Sequence, residues 1–302
     1  MKKIYFLFLF LTVTKISFAC LNGETKELEN GFIIYEDYEG SIPYGHRFYL
    51  HNADKLKSEL DSLYKTTNKI EYLSDKGYVL IAEGKFKEAL NLYLQIEKSH
   101  PNRYSTASNI GTIYELLGEN EKALYWIKKS ISINPSSHDE SEWIHVKILE
   151  AKLKGREYYN SKFLLDVDFG TYSFPISTLS ESKLYRLEHS LYYQLNERIS
   201  FIKDKDEIIA NLLFELGNIA MLRKEFHDAE QLFKMSKEYG NTNELVNIRL
   251  AYLDGFKASK VNLFKKNNPI IYKYNYVKTT LLVLSILIFI VMLLYIIRLR
   301  RK

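Results

Sequence analysis

The sequence predicts an all-α helical-repeat solenoid, preceded by a signal peptide and followed by one transmembrane helix. Three observations carry this. Gly77, Gly84, Ala89, Leu90 and Pro101 recur as Gly111, Gly118, Ala123, Leu124 and Pro135, each 34 residues on. Between these marks apolar residues fall at helical spacing. The one long charge-free apolar run, residues 279–297, lies near the far end of the chain.

In chain order, residues 1–19 read as a secretory signal: Lys2 and Lys3, an apolar stretch over 4–13, then Ser17 and Ala19 as small residues before a cut. That apolar stretch is too short to span a bilayer. Cys20, the only cysteine, is either the mature N-terminus or a lipidated residue, although Ser17 and Phe18 depart from the usual lipidation pattern. A lone cysteine excludes an internal disulfide and a cysteine-based zinc site. Residues 20–66 form an N-terminal segment with scattered glycine and tyrosine. It holds a short strand at 32–35 and an amphipathic helix at 53–65 with Leu56, Leu60, Leu63 and Tyr64 on one stripe, expected either to cap the array or to lie across its groove.

The array is expected over 67–257. The windows 84–101 (GKFKEALNLYLQIEKSHP) and 118–135 (GENEKALYWIKKSISINP) each read as turn, helix and stop. Glycine permits the turn and proline cannot continue the helix. This pattern resembles the tetratricopeptide repeat, a 34-residue helix–turn–helix unit. In unit 70–103 the resemblance makes Gly77 and Ala89 the small residues where two helices touch, with Leu73, Leu80, Phe86 and Tyr93 flanking them. In unit 104–137 Gly111 and Ala123 take those places, with Ile110, Tyr114 and Ile127 as the large neighbours. Ile96 and Asn120 depart from the pattern. A third unit, 210–243, shows Leu213, Leu216, Gly217, Phe226, Ala229 and Phe233, with Lys224 in place of the turn glycine and Asn241 in place of the proline.

Between these units the pattern is irregular. Ser137 and Glu140 are spaced as a capping box opening a helix through about Leu153. An insert, 154–181, interrupts the array: residues 163–169 (FLLDVDF) read as extended, and Gly170 and Pro175 break any helix. Helical pattern resumes over 182–202. A last helix, 242–256, is expected to cap the stack with a polar outer face. Residues 258–278, containing Pro269, then read as a linker.

Residues 279–297 cover roughly 28 Å as a helix, close to a bilayer's hydrocarbon thickness. Arg298, Arg300, Arg301 and Lys302 follow at once, a positive stop-transfer flank. A cleaved signal puts the body outside, and the basic tail, 298–302, stays in the cytoplasm. The expected location is a bacterial inner membrane, single-pass, with the repeats periplasmic. An uncleaved N-terminus with a cytoplasmic, tail-anchored body is the alternative topology. The whole layout resembles uncharacterised tetratricopeptide membrane proteins of flavobacteria.

Composition and motifs restrict function. The formal charge is +5, but three lysines lie in the signal and four cations in the tail, leaving −2 on residues 20–297. A body so balanced is a poor nucleic-acid binder. No nucleotide, metalloprotease, serine-hydrolase or thiol-redox motif is present, and Asp168-Phe169-Gly170 stands without the other kinase elements. No catalytic residue, cofactor or metal is therefore expected. His46 and His51, near Glu36 and Asp37, are the one local group with metal-ligand chemistry, and a structural role is expected of them. His145, five residues before Glu150, points to nothing. The 24 tyrosines and 17 phenylalanines read as helix packing; a stacking platform for sugars would need a surface cluster.

The tetratricopeptide resemblance implies a concave groove lined by the first helix of each unit. It places there Ser74, Tyr78, Ile81 and Ala82 of the first unit, Ser108, Asn109, Thr112 and Glu115 of the second, and Phe214, Asn218 and Met221 of the third. Such a mixture suits a protein or peptide segment. These positions lack paired cations, which disfavours capture of a partner's C-terminal carboxylate. The leading expectation is a membrane-anchored interaction scaffold. The other is a ligand-binding sensory component of an envelope signalling or glycan-related system, its response carried by a partner.

Overall fold

The computed structural model describes residues 26–267, and of 260–267 the backbone path only. The signal peptide, Cys20, the transmembrane helix and the basic tail expected from the sequence lie outside the described residues. Among the described residues no helix is long and apolar enough to cross a membrane.

An N-terminal segment opens the fold with two short antiparallel strands, β1 (Tyr35–Glu36) and β2 (Arg47–Phe48). The expected strand at 32–35 overlaps β1 at Tyr35, and ahead of it Ile33 forms an isolated antiparallel bridge with Glu27. Helix α1 (Ala53–Thr67) buries Leu56 and Leu60 of the predicted stripe together with Ala53, and leaves Leu63 and Tyr64 half-buried. Then come two helix pairs, α2 (Ile70–Ala82) with α3 (Phe86–Ser99), and α4 (Tyr104–Leu116) with α5 (Asn120–Ile133). A third, α9 (Glu207–Leu222) with α10 (Phe226–Glu238), follows later.

The three pairs share one construction. A Cβ on Gly77 would come within 2.6 Å of the Tyr93 ring, on Gly111 within 2.6 Å of Ile127, and on Gly217 within 2.6 Å of Phe233. Each glycine lets its partner helix come in under a large side chain, which ridge-and-groove packing alone would hold further off. The turns match as well. At Gly84, Gly118 and Lys224 the backbone is left-handed, with φ of 75°, 80° and 66°. The amide at each donates back to Ile81, Glu115 and Met221, and the next amide donates to Leu80, Tyr114 and Ala220. Paired bonds of this kind close a helix around a left-handed residue. Lys224 keeps this geometry without the freedom glycine has.

Between the pairs the chain departs from expectation in three places. Ser137 does not cap a helix: residues Ser137–Glu140 form a tight turn with left-handed backbone, the Ser137 hydroxyl donates to the Asn134 carbonyl at 2.8 Å, and helix α6 (Glu142–Lys154) starts later. In this turn His138 points inward and pairs with Glu142. The stretch expected to be extended opens as a helical turn, α7 (Ser161–Leu165), capped by Asn160, whose side chain accepts from the Phe163 amide at 3.0 Å. Beyond it Val167 and Phe169 are buried and Asp168 exposed, the alternation of extended chain. Helix α8 (Glu181–Phe201) follows, 21 residues long, with Leu184, Leu187, Leu191, Leu195 and Ile199 buried.

The chain divides after Val246. Helix α11 (Glu244–Asn267) runs past 256 into the stretch expected to be linker. No glycine or proline follows Gly255 before Pro269, so nothing local stops it.

Candidate functional site

The groove face is where the repeats would meet a partner, and it is full. Ser74, Tyr78, Ile81, Ser108, Asn109, Glu115, Phe214, Asn218 and Met221 are all buried, and Thr112 is half-buried. The occupant is the chain itself. From one side comes the N-terminal segment, with Tyr35 and Phe48 edge-on to the Tyr78 ring at 6.4 and 6.3 Å. From the other comes the C-terminal half of α8, where Phe201 meets Phe48 at 5.6 Å. These residues therefore pack against neighbouring helices and the N-terminal segment, one of the two arrangements the sequence left open. A chamber of about 40 Å³ remains among Thr112, Glu115, His138, Glu142, His145 and Arg198, enough for a water-sized occupant and not for a peptide.

Some predicted positions serve the packing between units. Asn109 donates to the Tyr93 hydroxyl at 2.8 Å, which donates to the Ser74 carbonyl at 2.7 Å. Asn218 donates to Glu215 at 2.8 Å, and the Ser161 hydroxyl donates to the same carboxylate. In this way the 154–181 insert is tied to the groove side of the third pair.

Glu115 is the centre of the face. Arg198 of α8 grips it with a guanidinium fork at 2.7 and 3.2 Å, Lys152 of α6 donates at 2.7 Å, and His145 of α6 lies at 2.6 Å. Burial works to raise its pKa, yet Arg198, Lys152 and His145 together hold it well below the usual carboxylate range. Next to it, Glu142 takes His138 and stands 3.4 Å from His145. Burial opposes ionisation there too, and the two imidazoles keep the Glu142 carboxylate low. For His138 and His145 burial pushes the pKa down, but Glu142 and Glu115 outweigh it and raise both.

A second knot fixes the N-terminal segment. His46 lies between Asp37 at 2.6 Å and Glu197 of α8 at 3.1 Å, stacked on Tyr35 at 4.0 Å. Burial lowers its affinity for the proton, but Glu197 and Asp37 raise its pKa to about 9. The Gly45 amide donates to Asn196 at 2.9 Å and the His46 amide to the Ser200 hydroxyl at 2.7 Å. Gly45 itself (φ 82°) lies so near α8 that a Cβ would meet the Ser200 amide nitrogen at 2.8 Å. His46 is thus an ion-pair hub, and His51 is exposed.

Sequence reasoning named Glu115 but missed Arg198, His145 and Lys152. No signal in the sequence joins them, since each lies on another element at its own separation. His46 was flagged beside Asp37, and the clue to its role was its acidic neighbour rather than metal-ligand spacing.

The glycine contacts, the left-handed turns and the 34-residue period together fix the type of repeat. The helix pairs are tetratricopeptide-like. No protein-family profile matches the chain, and no curated protein matches it either. Among solved structures it is similar to a tetratricopeptide repeat protein from Parabacteroides merdae, at 18% identity and a TM-score of 0.32, over 67% of this chain and 92% of that one. So low a TM-score carries nothing about function.

Proposed function

We propose that this chain is a protein-interaction scaffold whose groove face is latched in cis by α8 and the N-terminal segment. It opens to a partner helix that presents a cation to Glu115. The observation that carries the reading is the Arg198 fork on a buried carboxylate at a groove position. In effect, α8 is the ligand already bound, and it states the chemistry the face accepts. Polar contacts make an exchangeable seal. A buried ionic cluster contributes little net stability compared with apolar packing, and its best-attested use is to specify a register or a switch. The exchange has a cost, because freeing α8 exposes Leu191, Leu195 and Ile199, at about 2 kcal/mol each. A competing segment must therefore be an amphipathic helix, not an extended polar peptide.

We place this scaffold outside a bacterial inner membrane. The 279–297 helix would hold it and the basic tail would mark the cytoplasmic side; the charge and hydropathy of those segments support this.

A photocrosslinker at Thr112, on the edge of the latch, tests the function in cells. The wild-type chain should give adducts within itself, to α8. In an Arg198→Ala background one discrete adduct to another protein should grow, and Lys128 on the outer face should not give it. Absence of that adduct from Thr112 in both backgrounds would remove the groove as a partner face.

A further inference from the structure

A second concavity, which shares the 137–140 turn and α8 with the groove face but opens separately, is built beside the irregular insert. A cleft of about 540 Å³ lies between the 137–140 turn, the end of α7 and the N-terminal half of α8. That size is ordinary for a small-molecule site. Its floor is apolar and closed, with Leu165, Val167 and Leu187 buried. Two aromatic residues line it while remaining well exposed, Trp143 at 39% and Tyr185 at 55%.

The polar rim decides what fits. Asp139, Glu140 and Asp166 bring carboxylates, and Lys183 and Arg186 bring cations. His189 stands 2.5 Å from Asp139, and Asp166 pairs with Lys162. A phosphate or polyanion would meet three carboxylates, and a polycation would meet Lys183 and Arg186. A neutral ligand rich in hydroxyls meets neither penalty, since each hydroxyl both donates and accepts. Carboxylates can accept hydrogen bonds from its hydroxyls and Arg186 can donate to their oxygens, while indole and phenol rings cover the apolar face of a pyranose.

The rim is also held in a demanding shape. His138, Asp139 and Glu140 have φ of 50°, 52° and 59° in succession, a conformation that residues with a Cβ adopt singly and not in runs. Strain of this kind concentrates at functional sites. Here it turns His138 inward to Glu142 and sets Asp139 and Glu140 at the cleft.

The geometry points to a saccharide site: the cleft binds a neutral pyranose unit, stacked on Trp143 and Tyr185 and held by hydroxyl contacts to Asp139, Glu140 and Arg186.

The test uses the full chain in a detergent without a sugar headgroup, carrying Trp126→Phe so that Trp143 alone reports. Fluorescence is titrated with the tetramer of β-1,4-linked N-acetylglucosamine, cellotetraose, maltotetraose and, as control, tetra-alanine. At least one saccharide should give a saturable change, and tetra-alanine none. By calorimetry with Trp126 and Trp143 both native, Tyr185→Ala should weaken that binding about tenfold, the worth of one aromatic contact. Tyr125→Ala, an exposed tyrosine on α5, should leave it unchanged. Glu140→Gln, which keeps the side chain's size, should also weaken it and covers the case in which the tyrosine variant misfolds. No saturable change with any of the three saccharides overturns the proposal. So does equal binding of tetra-alanine, or a saccharide affinity that neither cleft variant moves.

Discussion

The interior of a helix pair and the latch across the groove face are both buried, and different physics holds each. Inside a pair, Gly77 meets Tyr93, Gly111 meets Ile127 and Gly217 meets Phe233. Those contacts are apolar, repeat at one separation and carry no charge. In the latch, Glu115, Glu142, Glu197 and Asp37 face Arg198, Lys152, His138, His145 and His46. Those contacts join five parts of the chain at no common separation, and three of the cations are imidazoles. The pairs build the scaffold at any ordinary pH. The latch depends on protons and on having every partner present.

Four measurements would break or sharpen that contrast. The largest effect belongs to Glu115→Leu, which strands Arg198 and Lys152 without their counter-ion and leaves His145 with Glu142 alone. It should cost about 4 kcal/mol, the penalty for breaking a buried ion pair from one side, read as a lowered midpoint in urea. A change below about 1 kcal/mol would mean the cluster is solvated and does not seal the face.

Alkaline pH comes next. A group whose folded pKa is raised contributes its full stability below the unfolded value and loses it as pH rises through the folded one. For His46 that window runs from about 6.5 to about 9, worth about 3 kcal/mol, and His138 and His145 shift in the same direction. Urea midpoints should therefore fall between pH 7 and 9.5, and His46→Gln should flatten the fall. Glu115 and Glu142 work the other way: their contribution is present above pH about 4.5 and lost in acid. A midpoint flat from pH 7 to 9.5 would break the claim that the latch is proton-dependent.

Within a pair, Gly111→Val should cost about 2 kcal/mol by overpacking, with a loss that is the same at pH 7 and 9.5. A cost that grew with pH would show the two regions to be coupled. The smallest effect is a gain: Lys224→Gly relieves a left-handed lysine at φ 66° and should add about 1 kcal/mol. Thermal melting would show it, and a destabilised variant would show that the lysine stem contributes packing of its own.

How far the sequence could be read follows from the same contrast. Gly77 and Tyr93, Gly111 and Ile127, and Gly217 and Phe233 lie sixteen residues apart in every case, so a periodic pattern exposes them. Lys224 was marked as an exception and sits in the same turn geometry as the glycines. The insert was seen as irregular, but the left-handed run at 138–140 before it was not: it goes with the buried His138–Glu142 contact, which no local pattern announces. The groove residues were placed on the right helices, while the sequence left open whether they face a partner or a neighbouring element of the chain.

The sequence by itself determined the repeat: where helices begin to turn, which small residue meets which large one, and that three pairs are of one kind. These are local matters, settled within one 34-residue unit by side-chain volume and backbone freedom. Only the tertiary structure decided that the groove is closed. Arg198 reaches Glu115 across 83 residues and His46 reaches Glu197 across 151. No period links such positions. Their meeting depends on how the insert returns α8 to the face, and an ion pair leaves no spacing in the sequence by which to foresee it.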